Sequence, residues 1–380
     1  MSSPAANRTK AIKGRGANTN IQGRFEHQQR EDFDDGWSLE QEPLAALETV
    51  VTETVVTEEI ARTILTRNQS PDLPFHASLN PYRGCEHGCI YCFARPTHSY
   101  LELSPGLDFE TRLFAKTNAA ELLRRELASP SWVPEPISLG INTDAYQPIE
   151  RKLGITRQVL EVLHECHHPV GIITKSALIE RDIDLLADMA SRNLAAAAVT
   201  ITTLDHTIAR TLEPRAASPT RRLKTVQRLA EAGIPVSVNV APVIPFVTDH
   251  DLEHILQAAA DAGARSAGYI VLRLPWEVSP LFRQWLATHF PDRAERVMAR
   301  IRDMRGGKDY KAEFGTRMRG EGIWADLLAQ RFKTAMRKTG LDKRQLEFGK
   351  LDCSLFRRPQ QVSARRGLIT SDAPQQLDMF

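Results

Sequence analysis

From about residue 75 the chain alternates short apolar runs with longer amphipathic stretches. Residues 137–141, 170–174, 197–202, 236–240 and 269–272 read as strands. Residues 156–166, 181–191, 219–232 and 249–262 between them read as helices, and a further helical stretch covers 118–127. Local signals support the helices: Ser218 before Pro219 is an N-cap followed by a first-turn proline, and Gly233 and Gly263 stand just past helix ends. Repeated βα units predict an α/β fold with a parallel sheet. A strand just ahead of Cys85 brings the series to six units, an incomplete (βα)6 TIM-like barrel. A doubly wound sheet shares the periodicity and stays open as the competing topology.

The same patterning divides the chain. Residues 1–74 are expected to be a largely disordered N-terminal extension, 75–280 the partial barrel, 281–358 a basic helical region and 359–380 a flexible tail. The extension is basic and glycine-containing at first (Lys13-Gly14-Arg15-Gly16), whereas residues 31–60 contain no Lys or Arg and read as an acidic, solvated linker. A net charge of +2 conceals a second asymmetry: residues 293–366 carry 20 Lys/Arg against 9 Asp/Glu, and the rest of the chain 29 against 38. A basic C-terminal third suits a polyanion, although a solvated helical face with surplus arginine would give the same count. With no apolar N-terminal h-region and no run of eighteen apolar residues, the expectation is a cytoplasmic protein without membrane contact.

Three of the five cysteines fall in one short loop, Cys85-Glu86-His87-Gly88-Cys89-Ile90-Tyr91-Cys92. Cys166 and Cys353 stand apart and look unpaired, as in a reducing compartment, where clustered cysteines signal metal or catalysis. Two metal readings remain. A [4Fe–4S] cluster held by three thiolates leaves one iron for another ligand. A structural zinc needs a fourth protein ligand, which His87 or His98 would supply. The loop follows the first barrel strand, where βα barrels place their active sites.

With Tyr91 before its last cysteine and the βα series downstream, this loop resembles the radical SAM superfamily over roughly residues 75–275. The resemblance implies that Cys85, Cys89 and Cys92 bind three irons of a [4Fe–4S] cluster. The fourth iron would be chelated by S-adenosylmethionine (SAM). Reductive cleavage of SAM would then yield a 5′-deoxyadenosyl radical that abstracts hydrogen from a substrate, with flavodoxin or ferredoxin as electron donor. Asn142-Thr143-Asp144-Ala145-Tyr146-Gln147-Pro148-Ile149-Glu150, Thr174-Lys175-Ser176 and Leu212-Glu213-Pro214 resemble the spore-photoproduct-lyase-like branch, described as DNA-repair-photolyase-like. That branch implies a carbon–carbon lyase acting on DNA.

By the same resemblance, Asn142, Thr143 and Asp144 stand where the superfamily binds the methionine amino group, and Lys175 pairs with the methionine carboxylate. An Asx turn and a solvated lysine are the plainer readings. Thr200 and Thr202 share one strand face, from which they would reach the ribose or carboxylate; threonine is also simply a good strand former. Asn239 and Ala241 would border the adenine, as would the backbone near Tyr91, which is also a candidate catalytic residue with Lys175. Glu213 and Arg215 flank Pro214 as an ion pair or as part of the site. Two departures separate the chain from the lyase: no cysteine ends the second strand, and Phe93 rather than tyrosine follows Cys92. Cys353 is the remaining candidate hydrogen donor, Cys166 reading as buried packing.

In the basic region, Arg305-Gly306-Gly307-Lys308 and Arg317-Met318-Arg319-Gly320 combine cations with permissive backbone suited to phosphates, and Tyr310, Phe314 and Trp324 are candidates for base stacking. Helix-end glycines and core aromatics would look the same. The terminal residues Gln376, Leu377, Asp378, Met379 and Phe380 resemble the pentapeptide by which bacterial proteins dock on the β sliding clamp. The leading expectation is a radical SAM enzyme acting on DNA and recruited by the clamp. The alternatives are a radical SAM enzyme acting on RNA, protein or a small molecule, and a non-enzymatic zinc-containing nucleic-acid binder.

Overall fold

The computed structural model describes residues 11–26, 53–342 and 350–360. Most of the acidic linker and the clamp-like pentapeptide lie outside them. The described strands are β1 (Val55–Glu59), β2 (Leu65–Arg67), β3 (Ala77–Leu79), β4 (Tyr82–Arg83), β5 (Arg112–Lys116), β6 (Ile137–Leu139), β7 (Val170–Thr174), β8 (Ala195–Thr200), β9 (Val236–Val243) and β10 (Ser266–Val271).

Six of these, β3 and β6 through β10, run parallel in chain order, and β2 joins β3 antiparallel at one edge. Neighbours never reverse order, so there is no switch point and the doubly wound alternative is excluded. The edges β10 and β2 do not pair, so the barrel is open. Pairings such as Leu79 with Leu139, Thr174 with Val199 and Thr200 with Asn239 bring the strands' C-terminal ends to one side.

Helices Ile155–Glu165, Ile183–Ser191, Pro219–Glu231 and Leu252–Asp261 fill the expected intervals. Each turns an apolar stripe inward; Pro219–Glu231, for example, buries Val226 and Leu229. Ser218 caps that helix, accepting from the Arg221 amide at 3.4 Å. Ile172, Val199, Val238 and Val271 stand with these side chains in one continuous core.

Beyond β10, helices Val278–His289 and Ala294–Asp303 form a second apolar cluster that includes Phe282, Trp285, Val297 and Ile301 and reaches Cys89, Ile90 and Tyr91. Helix Ile323–Thr339 packs on Leu252–Asp261, with Phe332 against Tyr269 at 4.7 Å and Trp324 against the main core. Trp324 is partly buried against the core rather than presented for base stacking. Residues 350–360 dock at the N-terminal end of the barrel, where the Asp352 amide donates to the Asn193 carbonyl (2.9 Å) and the Arg357 amide to that of Cys166 (2.8 Å). This places Cys166 and Cys353 at the end opposite the cysteine loop, out of reach as hydrogen donors there.

Residues 11–26, assigned to a disordered arm by composition, lie packed across the cysteine loop. The composition argument fails here because order comes from backbone hydrogen bonds to a buried carboxylate far away in sequence, not from apolar content. Strand β1 likewise pairs with β5, which also pairs with β4, in a small separate sheet.

Candidate active site

The cysteine loop leaves β4 through Gly84, whose φ of 75° suits glycine and whose Cα faces Leu113 and the Phe109 carbonyl. The Cys85 amide donates to that carbonyl (2.9 Å), Gly88 to Cys85 (3.3 Å) and Cys92 to Cys89 (3.2 Å). The Gln147 side chain bridges the loop's start, accepting from the Glu86 amide (2.8 Å) and donating to the Gly84 carbonyl (3.2 Å). Cys85 and Cys89 are buried and Cys92 is half-buried. Burial pushes the Cys85 thiol up and that of Cys89 to about 12. Their thiolates therefore need a compensating cation, as metal provides.

One buried ion pair clamps the loop from behind. Arg95 donates to the carbonyls of Cys89 (2.9 Å), Gly88 (3.1 Å), Pro105 (3.1 Å) and Gly106 (2.9 Å) and pairs with Glu110. Glu110 in turn accepts from the amides of Gly16 (3.0 Å) and Ala17 (2.9 Å). With its donors and acceptors satisfied, such a buried pair is tolerable, and losing either partner is costly. A Cβ on Gly16 would run into the Gly88 carbonyl oxygen, so only glycine lets the N-terminal segment lie this close.

The neighbouring strand ends supply charge. Asp144, in the turn after β6, accepts from the Thr174 hydroxyl (2.7 Å) and the Lys175 amide (2.7 Å) and stands 3.3 Å from His87 Nδ1. Burial pushes its carboxyl up, but His87 and the donated hydrogen bonds outweigh that and hold it at about 2. Lys175 follows β7, its ammonium 5.9 Å from the Tyr91 ring centre. Burial pulls Lys175 down, yet the facing Cys89 and Glu213 win and the net shift is upward, so it stays a cation. Among the described residues that ammonium has no hydrogen-bond or ion-pair partner.

Beneath it lies a buried quartet. Tyr91 donates its hydroxyl to Glu213, Thr202 Oγ1 is 2.7 Å from the same carboxylate, and Arg222 pairs with Glu213 while donating to the Thr200 carbonyl (2.9 Å). Burial pushes the Tyr91 phenol well up, so it acts as a neutral donor.

Residues 79–259 match the family model of the radical SAM superfamily. The chain carries a radical SAM domain. An uncharacterized protein of Mycobacterium tuberculosis is 39% identical over 226 residues, covering 59% of this chain and 66% of the relative, just under two thirds of its length. In fold the chain is similar to a tyrosine-to-phenylalanine mutant of spore photoproduct lyase, with a TM-score of 0.54, 15% identity and coverage of 75% of this chain and 79% of the lyase. A mutant of that lyase with bound AdoMet and dinucleoside spore photoproduct aligns with a TM-score of 0.51 and 13% identity over 75% and 79% of the two chains.

Radical SAM proteins use a [4Fe–4S] cluster and SAM, and the domain's donor set fits that group: three thiols on one glycine-shaped loop beside an unpartnered cation. The histidines that a zinc site would recruit are engaged elsewhere. His87 faces Asp144, and His98 bonds the Arg112 carbonyl (2.9 Å) between Phe109 and Phe114. Among the described residues no three His, Cys, Asp or Glu groups converge on a single-ion site. In a cubane each cysteine ligates a different iron, so the sulfurs need not converge on one point.

The domain gathers Tyr91, Lys175, Thr202 and Asp144 around the loop and holds the backbone of other expected residues at the strand ends. The amides of Asn142 and Thr143 donate to Asn80 Oδ1 (2.8 and 3.4 Å), and the Thr143 hydroxyl donates to the Tyr82 carbonyl (3.0 Å). These two shape the turn, and Asp144 alone of the three turns its side chain to Lys175 and His87. Thr200 offers its carbonyl to Arg222, Asn239 its carbonyl to the Ile201 amide (2.9 Å), and Ala241 its carbonyl to the Thr202 hydroxyl (3.1 Å). Glu213 and Arg215 do not pair with each other: Glu213 takes Arg222, and Arg215 takes Glu86 at 3.0 Å. Pro214 separates them, and the helix start brings Arg222 back instead. Arg305 is not a phosphate ligand. It is buried, bonds the Thr316, Arg317 and Leu272 carbonyls, and is pulled down to about 10 by burial. Sequence reasoning missed Asn80, Arg95, Glu110, Gln147 and Arg222. Gln147 falls within the 142–150 segment but carries no signal of its own, and the other four belong to no spaced motif; each acquires its role only when the fold brings a buried partner to it.

Proposed function

We propose that this protein is a radical SAM enzyme that acts on DNA, with Cys85, Cys89 and Cys92 holding the cluster and Lys175 receiving the methionine carboxylate of SAM. The supporting observation is the Lys175 ammonium, charged, half-buried and, among the described residues, without a hydrogen-bond or ion-pair partner beside Cys89 and Tyr91. When bound, the cluster supplies the electron that breaks the C5′–S bond of SAM, giving methionine and a 5′-deoxyadenosyl radical. The chain's own residues do the rest. Asp144 holds the β7 end through the Lys175 amide, the Glu213–Arg222 pair keeps the Tyr91 ring beneath the ammonium, and the apolar cluster around Ile90 excludes water. The likeness to spore photoproduct lyase and the basic residues after 293 support DNA as substrate. The absence of a cysteine after β6 argues for chemistry other than that lyase's own. Recruitment by the sliding clamp rests on the sequence of residues 376–380.

Anaerobic reconstitution should give absorbance at about 400 nm and SAM-dependent 5′-deoxyadenosine. Cys89→Ala should lose both. Lys175→Met should keep the absorbance and raise the KM for SAM by about tenfold, the loss of one charge-assisted contact. A Lys175→Met enzyme with unchanged KM would remove the carboxylate assignment. Adding DNA should accelerate deoxyadenosine formation, and deleting 376–380 should abolish binding to purified clamp.

A further inference from the structure

Next to the cysteine loop, planar side chains stand in a row on the surface. The rings of Tyr100 and Phe25 stack at 4.9 Å, and the Arg24 guanidinium lies 5.4 Å from the Phe25 ring and 4.1 Å from that of Trp276. The rings are open to solvent: Tyr100 is 67% exposed, Trp276 60% and Phe25 44%. Trp276 has a φ of 46°, a conformation that bulky residues rarely adopt and that persists only where the surroundings impose it. Buried Glu277 anchors the row by accepting from Arg24 Nε at 2.8 Å and from its amide at 3.2 Å.

A second group adjoins the loop. Phe93 follows Cys92 directly and is 42% exposed. Arg273, three residues before Trp276 and just past β10, has its guanidinium 5.5 Å from the Phe93 ring and 5.9 Å from the Tyr310 ring. Among the described residues Arg273 makes no ion pair, its contacts being the Tyr310 hydroxyl (3.3 Å) and Met318 sulfur (3.4 Å). Arg24, Arg283 and Arg317, by contrast, pair with Glu277, Asp309 and Asp72.

We propose that this surface binds unpaired nucleotides, with the Tyr100–Phe25–Arg24–Trp276 row stacking on bases and Arg273 taking a backbone phosphate. The inference rests on the reading of DNA as substrate and states the form in which it is held. A duplex hides the base faces that such a row contacts, and a single strand or an extruded segment presents them. Exposed rings alone would also suit an aromatic peptide. Arg273, without an ion pair among the described residues, and the excess of Lys/Arg over residues 293–366 favour a polyanion.

The test is fluorescence anisotropy of the reconstituted full chain with a labelled thymidine oligonucleotide of about a dozen residues and with a blunt duplex. The single strand should bind more tightly. W276A and Y100A should each weaken it roughly 5- to 100-fold without changing the salt dependence. R273Q should reduce the slope of log K on log salt by about 0.7. Both rings are exposed, so the variants should keep the parent's circular dichroism and cluster absorbance. If both ring variants bind single strands as the parent does while DNA still accelerates SAM cleavage, the DNA reading stands and the stacking row falls. If neither form of DNA binds or accelerates cleavage, the DNA reading falls and takes this inference with it. Binding of an aromatic peptide in place of the oligonucleotide would also overturn it.

Discussion

Burial of His168 ties stability to pH at a single residue. The ring lies between Trp132 and Phe356 below the start of β7, accepts from Trp132 Nε1 at 3.2 Å and bonds the Pro169 carbonyl at 3.1 Å. Burial pulls it down to about 4, against about 6.5 in an unfolded chain. Above pH 6.5 both states are neutral and the stability is fully present. As pH falls from 6.5 towards 4 the unfolded chain takes up the proton first, and stability drops. Between pH 7 and 5 this single group should remove about 2 kcal/mol. In His168→Gln, which keeps a hydrogen-bonding side chain, the urea midpoint should vary less between those pH values. Equal variation in parent and variant would show that other groups carry the dependence. At this scale the chemistry-bearing residues divide clearly. Cys85, Cys89, Cys92 and Lys175 stand out in the sequence by spacing and by position after a strand, and the fold brings Lys175 to face Cys89 and Tyr91. Arg95, Glu110 and Arg222 were silent, because an arginine or glutamate in sequence looks solvated until its buried partner is known.

Elements were legible where they were long and regularly spaced. The six barrel strands and the helices between them fall within a few residues of their expected places. Short or exposed ones escaped notice: β4 has two residues, and β1 is largely solvent-facing. The helix His206–Leu212 was also missed, although Asp205 caps it, accepting from the Thr207 (2.6 Å) and Ile208 (3.1 Å) amides. This helix matters to the site, since the Leu212 carbonyl accepts from the Ile90 amide at 3.1 Å and Glu213 follows directly. Asp205→Ala should therefore cost about 1 kcal/mol in a urea melt and lower the iron retained after reconstitution. Unchanged iron content with reduced stability would separate the cap from the site.

For the molecule as a whole, the N-terminal segment covers the cysteine-loop end of the barrel. Gly16 and Ala17 reach Glu110, Asn20 reaches Asp108 at 3.1 Å, and Ala17 is buried beside Cys89 and Tyr91. Gly16→Ala should cost about 1–3 kcal/mol through the clash at Gly88. Deleting residues 1–26 should leave the barrel folded but speed the loss of absorbance at about 400 nm in air. Equal bleaching of parent and truncated protein would show that the segment does not shield the loop. Among the described residues no helix is long and apolar enough to cross a membrane.

The sequence by itself determined what is local. A period of apolar residues makes strand or helix through backbone hydrogen bonding and one-sided burial, and three cysteines within eight positions are close enough to share a cluster wherever the loop lies. Tertiary structure decided what depends on long closures. It chose an open barrel over a doubly wound sheet, paired Glu213 with Arg222 rather than Arg215, and laid a polar, glycine-bearing segment across the cysteine loop. A buried carboxylate takes the donors that geometry brings to it, and that geometry exists only after the strands have assembled.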